Sequence, residues 1–153
     1  MNNLTNYHSH TSFCDGKAPM EAFIAEAVRQ GFTSYGVSSH APLPFRTRWT
    51  IDDREQTGLY LQEFARLKRL DFIKCDIEGY EAVVMEEMRP LLERFRPTVL
   101  IETGGENRPR IVRLFTRLGY AGYTLDRGRE IPLSPGSTKD IIFRPGAERP
   151  EDR

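Results

Sequence analysis

Apolar positions along the chain follow two spacings in turn, one typical of strands and one typical of helices. Short apolar runs predict strands at 4–7, 33–38, 71–76, 98–102, 120–125 and 140–143. Apolar residues three and four positions apart predict helices at 19–30, 52–70, 80–95 and 109–118, the third of them split near Pro90. This alternation favours an α/β fold with a single, mostly parallel sheet flanked by helices. No helix separates the last two strands, so we expect the final strand to be antiparallel.

The chain length limits the size of the fold and the number of domains. At 153 residues, the chain suits one α/β domain over 1–143 but is too short for a complete (β/α)₈ barrel, which needs about 250 residues. Residues 144–153 are rich in proline, glycine and charge, which predicts a flexible tail.

Charge and composition narrow the possible partners. The 22 basic residues balance 22 acidic ones, so we expect neither a nucleic acid nor an anionic membrane as partner. No apolar run reaches the roughly 18 residues of a membrane span, and residues 1–6 lack the pattern of a signal peptide. The two cysteines form no Cys-x-x-Cys motif, and together these features predict a cytoplasmic protein. The oligomeric state is not determined by any of them.

All three histidines fall within the first forty residues. His8 and His10 are two positions apart on or after the first strand, so their side chains share one face. Asp15 lies in the following turn, and His40 follows the second strand. Because parallel strands end at the same edge of a sheet, these four groups are expected to converge there. Imidazole and carboxylate ligands suit Zn²⁺, Mn²⁺ or Fe²⁺, although a pair of exposed loop histidines would give the same His-x-His pattern.

Residues 7–70 resemble a known family. The run Tyr-His-Ser-His-Thr-Ser-Phe-Cys-Asp-Gly from position 7 and the run Ser-Ser-His-Ala-Pro-Leu-Pro from position 38 are similar to the start of a histidinol-phosphatase of the PHP (polymerase and histidinol phosphatase) metallophosphoesterases. The resemblance implies that His8, His10, Asp15 and His40 are metal ligands, with Asp15 and His40 also catalytic. It further implies hydrolysis of a phosphomonoester of a small phosphorylated metabolite. Arg46 and Arg48 could contact the phosphate, or could equally be solvated loop arginines.

The resemblance is incomplete in one decisive respect. A PHP barrel completes a three-metal cluster with further histidines and carboxylates from later strands, whereas this chain has no histidine after position 40. The sequence therefore predicts an impaired, histidinol-phosphatase-like hydrolase that holds one or two metal ions.

From Asp71 onward the sequence resembles a different family. The segment Asp-Phe-Ile-Lys-Cys-Asp-Ile-Glu-Gly-Tyr-Glu and the segment Pro-Thr-Val-Leu-Ile-Glu at 97–102 are similar to the second half of an FkbM-type methyltransferase, a Rossmann-like family that depends on S-adenosylmethionine (SAM). The resemblance extends to about Phe143. It implies that the catalytic carboxylates Asp76 and Glu78 face the reaction centre and orient an acceptor hydroxyl, with Glu102 after the next strand. Acidic residues at the first turn of a helix are the plainer alternative for Asp76 and Glu78.

The two resemblances together describe a hybrid of a partial PHP barrel and a partial Rossmann-like methyltransferase, joined near residue 70. No strand-Gly-x-Gly-helix arrangement precedes Asp71, so the cofactor-binding half of a methyltransferase is missing. We hypothesise that Glu78 or Asp76 replaces the glutamate that a PHP strand contributes to the metal. The sequence leaves three functions open: a metal-dependent phosphomonoester hydrolase, an FkbM-type methyltransferase fragment, and a non-catalytic fusion product.

Overall fold

The chain forms two compact units. The computed structural model describes residues 4–40, 45, 47–51, 53–67, 69–77 and 79–147. The first unit is Met1–Arg66 and the second is Leu67–Arg153.

The first unit contains two short strands and two helices: β1 (Thr5–Asn6), α1 (Met20–Arg29), β2 (Ser34–Tyr35) and α2 (Arg54–Ala65). β1 and β2 pair in parallel, and an isolated parallel bridge between His10 and Ser38 continues their alignment. Both strands are shorter than the apolar pattern predicted. The parallel direction of the pair was predicted correctly, and it places the residues that follow the two strands at one edge.

The helix boundaries of this unit follow local capping chemistry. α1 begins after Pro19, which is extended, and buries Met20 and Ala27. α2 begins after Asp53, whose side chain accepts a hydrogen bond from the Gln56 amide at 2.9 Å. α2 therefore begins at Arg54, two residues after the start predicted from the sequence, and Asp52 itself lies outside the described residues. Across the part of the chain that the structure describes, no helix is long and apolar enough to cross a membrane.

The second unit is built on a five-stranded sheet. Its elements are β3 (Phe72–Cys75), α3 (Glu81–Glu87), α4 (Arg89–Phe95), β4 (Thr98–Glu102), α5 (Asn107–Arg117), β5 (Tyr120–Asp126), β6 (Arg129–Pro132) and β7 (Asp140–Pro145). The strand order is β3-β4-β7-β5-β6. β3 and β4 are parallel, whereas the pairs β4–β7, β7–β5 and β5–β6 are antiparallel. The split between α3 and α4 next to Pro90 was predicted correctly.

The prediction of a single, mostly parallel sheet is therefore wrong. The described residues form a small parallel sheet and a separate, mostly antiparallel one, and neither closes into a barrel. The physical reason is the last strand: β7 enters between β4 and β5 and pairs with both in the antiparallel sense. The expected antiparallel final strand is confirmed, but it lies inside the sheet rather than at its edge.

The hydrophobic pattern also missed β6. A two-residue loop, Arg127 and Gly128, joins β5 to β6, and both residues have positive φ (48° and 77°). Two successive positive φ values match the type I′ turn that suits a tight hairpin. All four residues of β6 are exposed, so the strand has no apolar alternation by which it could be recognised.

α5 packs on one face of the larger sheet, and the hydrophobic core of the second unit lies between them. Phe115 of α5 stacks on Phe143 of β7 with ring centroids 4.0 Å apart. Val99 pairs with Phe143, and Ile101 pairs with Ile141, so all four side chains share the face toward α5. Each of these residues is at most 1% exposed. Residues 103–106 connect the carboxyl end of β4 to the start of α5.

Candidate functional site

Three imidazole rings meet at the edge where β1 and β2 end. The Nε2 atoms of His8 and His10 are 2.8 Å apart, and the ring centroids of His10 and His40 are 4.4 Å apart. The parallel pairing of β1 with β2 causes this approach, because His10 bridges to Ser38 and His40 lies two residues further along the chain. We call His8, His10, Asp15 and His40 the His/Asp cluster.

Asp15 lies between two of the imidazoles. Its Oδ1 is 2.8 Å from Nδ1 of His10, and its Oδ2 is 3.6 Å from Nε2 of His40. Desolvation raises the pKa of this carboxyl, but hydrogen bonds from the Cys14 side chain and the backbone amide of Asp15, with the charges of His10 and His40, outweigh it and leave the pKa below its usual value. Asp15 is therefore an ionised carboxylate at neutral pH, the state in which it can bind a cation.

The geometry of the cluster matches the needs of a small cation. One potential ligand atom from each of His10, Asp15 and His40 lies within 4.8 Å of the other two. Two imidazole nitrogens with one carboxylate are a common ligand set for Zn²⁺ and for other divalent first-row metals. His8 lies beside this triad through its contact with His10. The sequence thus predicted which residues converge, and the structure brings all four together.

The turn that presents Asp15 is tightly packed. Thr11 is fully buried, and its carbonyl oxygen accepts hydrogen bonds from the amides of Cys14 (3.1 Å) and Gly16 (3.0 Å). A Cβ on Gly16 would overlap the carbonyl group of His10. Glycine is required here because the chain folds back onto the backbone of a cluster residue.

Sequence reasoning missed two neighbours of the cluster. Sγ of Cys14 is 3.4 Å from Nδ1 of His10, and the Trp49 ring meets the His40 ring edge-on at a centroid distance of 4.9 Å. The position of Cys14 next to Asp15 in the same turn could have identified it from the sequence as a neighbour of the cluster. The other cysteine, Cys75, belongs to the second unit, where burial, followed by the charges of Glu81 and Asp76, raises the pKa of its thiol to about 12. Cys75 is thus a structural residue of β3.

The predicted phosphate contacts remain predictions. Arg48 is exposed in the segment that precedes α2. Arg46 lies outside the described residues, as does Glu78. The hypothesis that Asp76 or Glu78 supplies a metal ligand also stays a prediction, because both residues belong to the second unit.

In the second unit, carboxylates follow the parallel strands as the sequence suggested. Asp76 is exposed immediately after β3 and accepts a hydrogen bond from Nζ of Lys74 at 3.0 Å. Glu102 is the exposed last residue of β4. Because β3 and β4 are adjacent and parallel, these two residues lie at the same edge of the sheet. The structure thus brings the two sequence-predicted carboxylates to one edge.

A buried carboxylate next to this edge was not assigned a role from the sequence. Glu81, the first residue of α3, is 3% exposed. Its Oε1 accepts from the Gly79 amide at 2.5 Å, and its Oε2 accepts from Nδ2 of Asn107 at 3.3 Å. The same Nδ2 donates to the Gly79 carbonyl at 2.6 Å. The hydrogen bonds of Glu81 and Asn107 therefore connect the loop after β3 to the start of α5.

Comparison with known families decides where the chain belongs. A family model described as "Methyltransferase FkbM domain" matches residues 7–123. The chain belongs to the FkbM methyltransferase domain family. No curated protein and no solved structure matches the chain.

The FkbM match changes the interpretation of the N-terminal segment. It begins at residue 7 and continues through the stretch that resembles a histidinol-phosphatase. The comparisons give the PHP resemblance of residues 7–70 no support, and they give none to a hybrid of two families. The resemblance of residues 71–143 to the FkbM family is supported as far as residue 123.

The FkbM family implies SAM as cofactor, so we tested whether the described residues fit it. The glycines that follow β1 and β2 leave no room for the cofactor ribose next to their backbone. A Cβ on Gly16 would overlap His10, and one on Gly36 would lie 2.8 Å from the Tyr7 backbone. A pocket between α3 and α5, lined by Ala82, Glu86, Arg110, Ile111 and Leu114, has an empty volume of about 170 Å³. Pockets for ligands of this size have volumes of roughly 300–1,000 Å³. These features of the described residues do not fit SAM.

Proposed function

We propose that the His/Asp cluster binds one divalent transition-metal ion and that the metal-bound protein hydrolyses a phosphomonoester of a small metabolite. One observation carries the proposal: potential ligand atoms of His10, Asp15 and His40 lie within 4.8 Å of one another. A divalent ion at this position would supply a Lewis acid next to the substrate. The proposal rests on this geometry alone, and the family match favours the second candidate function given below.

Each residue of the cluster has a distinct task in this proposal. His10 and His40 each offer a ring nitrogen, and Asp15 offers a carboxylate whose pKa is already lowered. His8 contacts His10 through Nε2 and fixes the orientation of that ring. Arg48 is exposed close in sequence to His40, where a guanidinium can pair with a phosphate group. Three protein ligands leave positions on the metal open to substrate, as catalytic sites require.

Removing one ligand is expected to abolish metal binding and hydrolysis together. We expect purified protein dialysed against Zn²⁺ or Mn²⁺ to retain about one metal ion per chain, and His10→Ala to reduce retention to background, because losing one of three ligands removes most of the affinity. Metal content is measured by elemental mass spectrometry. Activity is measured as phosphate release from an aryl phosphate and from histidinol phosphate.

A matched pair of aspartate variants separates the site from general stability. Asp15→Asn removes a ligand charge, whereas Asp53→Asn makes the same change at the α2 cap, where asparagine caps as well as aspartate. Only Asp15→Asn should lose metal. Equal metal content in wild type, His10→Ala and Asp15→Asn would contradict the proposal.

A second candidate function is SAM-dependent methyl transfer, which the FkbM family match favours. In this case the second unit binds the methyl acceptor, and Asp76 and Glu102 lie at the sheet edge that faces it. Neither the glycines after β1 and β2 nor the pocket between α3 and α5 fits SAM, so we expect no heat of SAM binding in calorimetric titration of the full chain. Saturable binding of SAM would overturn this expectation and favour methyl transfer. The absence of both SAM binding and phosphate release would favour a non-catalytic fusion product.

A further inference from the structure

Two buried polar groups without partners adjoin the first turn of α5. Thr103 is 2% exposed, and its Oγ1 has no hydrogen-bond partner among the described residues. Nη2 of Arg108 is also buried and has no partner within the part of the chain that the structure describes. Unsatisfied buried polar groups are rare because each one loses its hydration without compensation. Two of them together point to a missing hydrogen-bonding partner.

Both groups adjoin the segment before β7. The Thr103 amide donates to the Lys139 carbonyl at 3.1 Å, which extends the β4–β7 ladder by one residue. Nη1 of Arg108 donates to the adjacent Thr138 carbonyl at 2.7 Å. The alkyl chain of Lys139 lies against Gly104, 3.6 Å from where a Cβ would stand. Thr103, Arg108 and Lys139 therefore surround one location.

Strand alternation directs the Thr103 side chain toward α5. Val99 and Ile101 lie on the face that Phe115 of α5 covers, and Thr103 is the next residue of that series. α5 spans eleven residues, and its N-cap residue Glu106 makes no side-chain capping bond. The first amides of a helix lack intrahelical acceptors and carry partial positive charge. The Thr103 hydroxyl, the Arg108 guanidinium and these amides are all hydrogen-bond donors.

We propose that this location binds a tetrahedral oxyanion, the phosphate or sulfate group of a small-molecule ligand. The bound group would accept hydrogen bonds from Thr103 Oγ1, Arg108 Nη2 and the first turn of α5. A tetrahedral dianion offers more acceptor oxygens than a carboxylate and so can satisfy donors from several directions. Glu81 and Glu106 place negative charge near the same helix end, and the paired residues Glu102 and Asp140 adjoin Thr103 and Lys139. Binding of a dianion therefore depends on direct hydrogen bonds and on the positive charges of Arg108 and Lys139. All of its residues belong to the second unit, and the proposal does not depend on a metal at the His/Asp cluster.

The probes are inorganic phosphate and sulfate, added to the full chain in EDTA so that the His/Asp cluster holds no metal. Sodium chloride at equal ionic strength is the reference, and acetate tests a carboxylate. We expect phosphate or sulfate to shift the amide resonances of Gly104, Gly105 and Arg108 in a saturable manner. The stronger of the two anions identifies a phosphorylated or a sulfated ligand. Tighter binding of acetate, or no saturable shift with either dianion, would overturn the proposal.

Two substitutions test the donors. Thr103→Val replaces the hydroxyl by a methyl group of similar shape, and Arg108→Gln removes the guanidinium. Each is expected to weaken dianion binding on the order of tenfold or more, since hydrogen bonds to charged groups are strong. Arg117→Gln makes the same change at the exposed opposite end of α5 and should leave binding unchanged.

Thr103→Val also distinguishes a ligand site from a structural role. Because the hydroxyl has no partner, its removal should raise the unfolding midpoint without added anion while it weakens binding. A lower midpoint in Thr103→Val would show that the hydroxyl is structural. That result, or equal dianion affinity in Thr103→Val, Arg108→Gln and Arg117→Gln, would contradict the proposal.

Discussion

Gly16→Ala is expected to destabilise the first unit and to disrupt the His/Asp cluster at the same time. The new Cβ would overlap the His10 carbonyl group and lie 2.6 Å from the Thr11 amide nitrogen. These are backbone atoms, so no side-chain rotation relieves the overlap, and the turn that carries Asp15 must move. Overpacking of this kind costs about 1–3 kcal/mol or more. Under the proposed function, the displacement of Asp15 also removes a metal ligand.

Trp49 provides the measurement, because it is the only tryptophan in the chain and belongs to the first unit. Its fluorescence during urea denaturation reports the free energy of unfolding of that unit. Gly58→Ala is the matched control: Gly58 lies within α2 with no atom within 4 Å of an added Cβ. Alanine in a helix interior is favoured over glycine by about 0.5–1 kcal/mol. The two alanine variants should therefore shift the midpoint in opposite directions, and equal shifts would show that the turn is not constrained as described.

Phe115→Ala is expected to remove much of the stability of the second unit. Phe115 is fully buried, stacks on Phe143 and meets the Tyr120 ring edge-on at a centroid distance of 5.2 Å. Truncation leaves a cavity between α5 and the sheet that rigid strands cannot fill. Changes of this type cost about 3–5 kcal/mol, a large part of the roughly 5–15 kcal/mol that holds a typical domain folded.

Far-UV circular dichroism against urea is the appropriate measurement for Phe115→Ala, since the second unit contains no tryptophan. Phe72→Ala is the control, because Phe72 lies in the same unit on β3 and is 52% exposed. We expect that variant to lose well under about 1 kcal/mol, as surface positions generally do. If the two phenylalanine variants had equal midpoints, α5 would not be packed on β7 through Phe115.

The sequence was sufficient to predict elements whose formation is local. The four predicted helical regions all contain helices, and Pro90 marked the division between α3 and α4 because proline cannot donate the helical hydrogen bond. His8, His10, Asp15 and His40 were predicted to converge because side-chain alternation and parallel pairing are short-range rules. Both rules operate within about forty residues of sequence.

Strand order could not be read from the sequence. β4 pairs with β7 although some forty residues separate them, and that choice depends on which faces are buried together. β6 was not predicted because an exposed hairpin strand needs no alternation of apolar and polar residues. The lack of a hydrogen-bond partner for Thr103 Oγ1 and Arg108 Nη2 among the described residues was equally invisible, because it depends on which groups the segment before β7 places beside them.

The sequence by itself determined the chemistry that this protein can offer: which imidazoles and carboxylates exist, and that they follow strand ends. The tertiary structure alone decided how they are combined. It set Asp15 between His10 and His40, because Gly16 allows the turn to fold back on the His10 backbone. It also placed β7 beside β4, so that the Thr103 side chain is buried next to the segment before β7. Side-chain identity is encoded locally, whereas burial and pairing arise only when distant segments exclude water together.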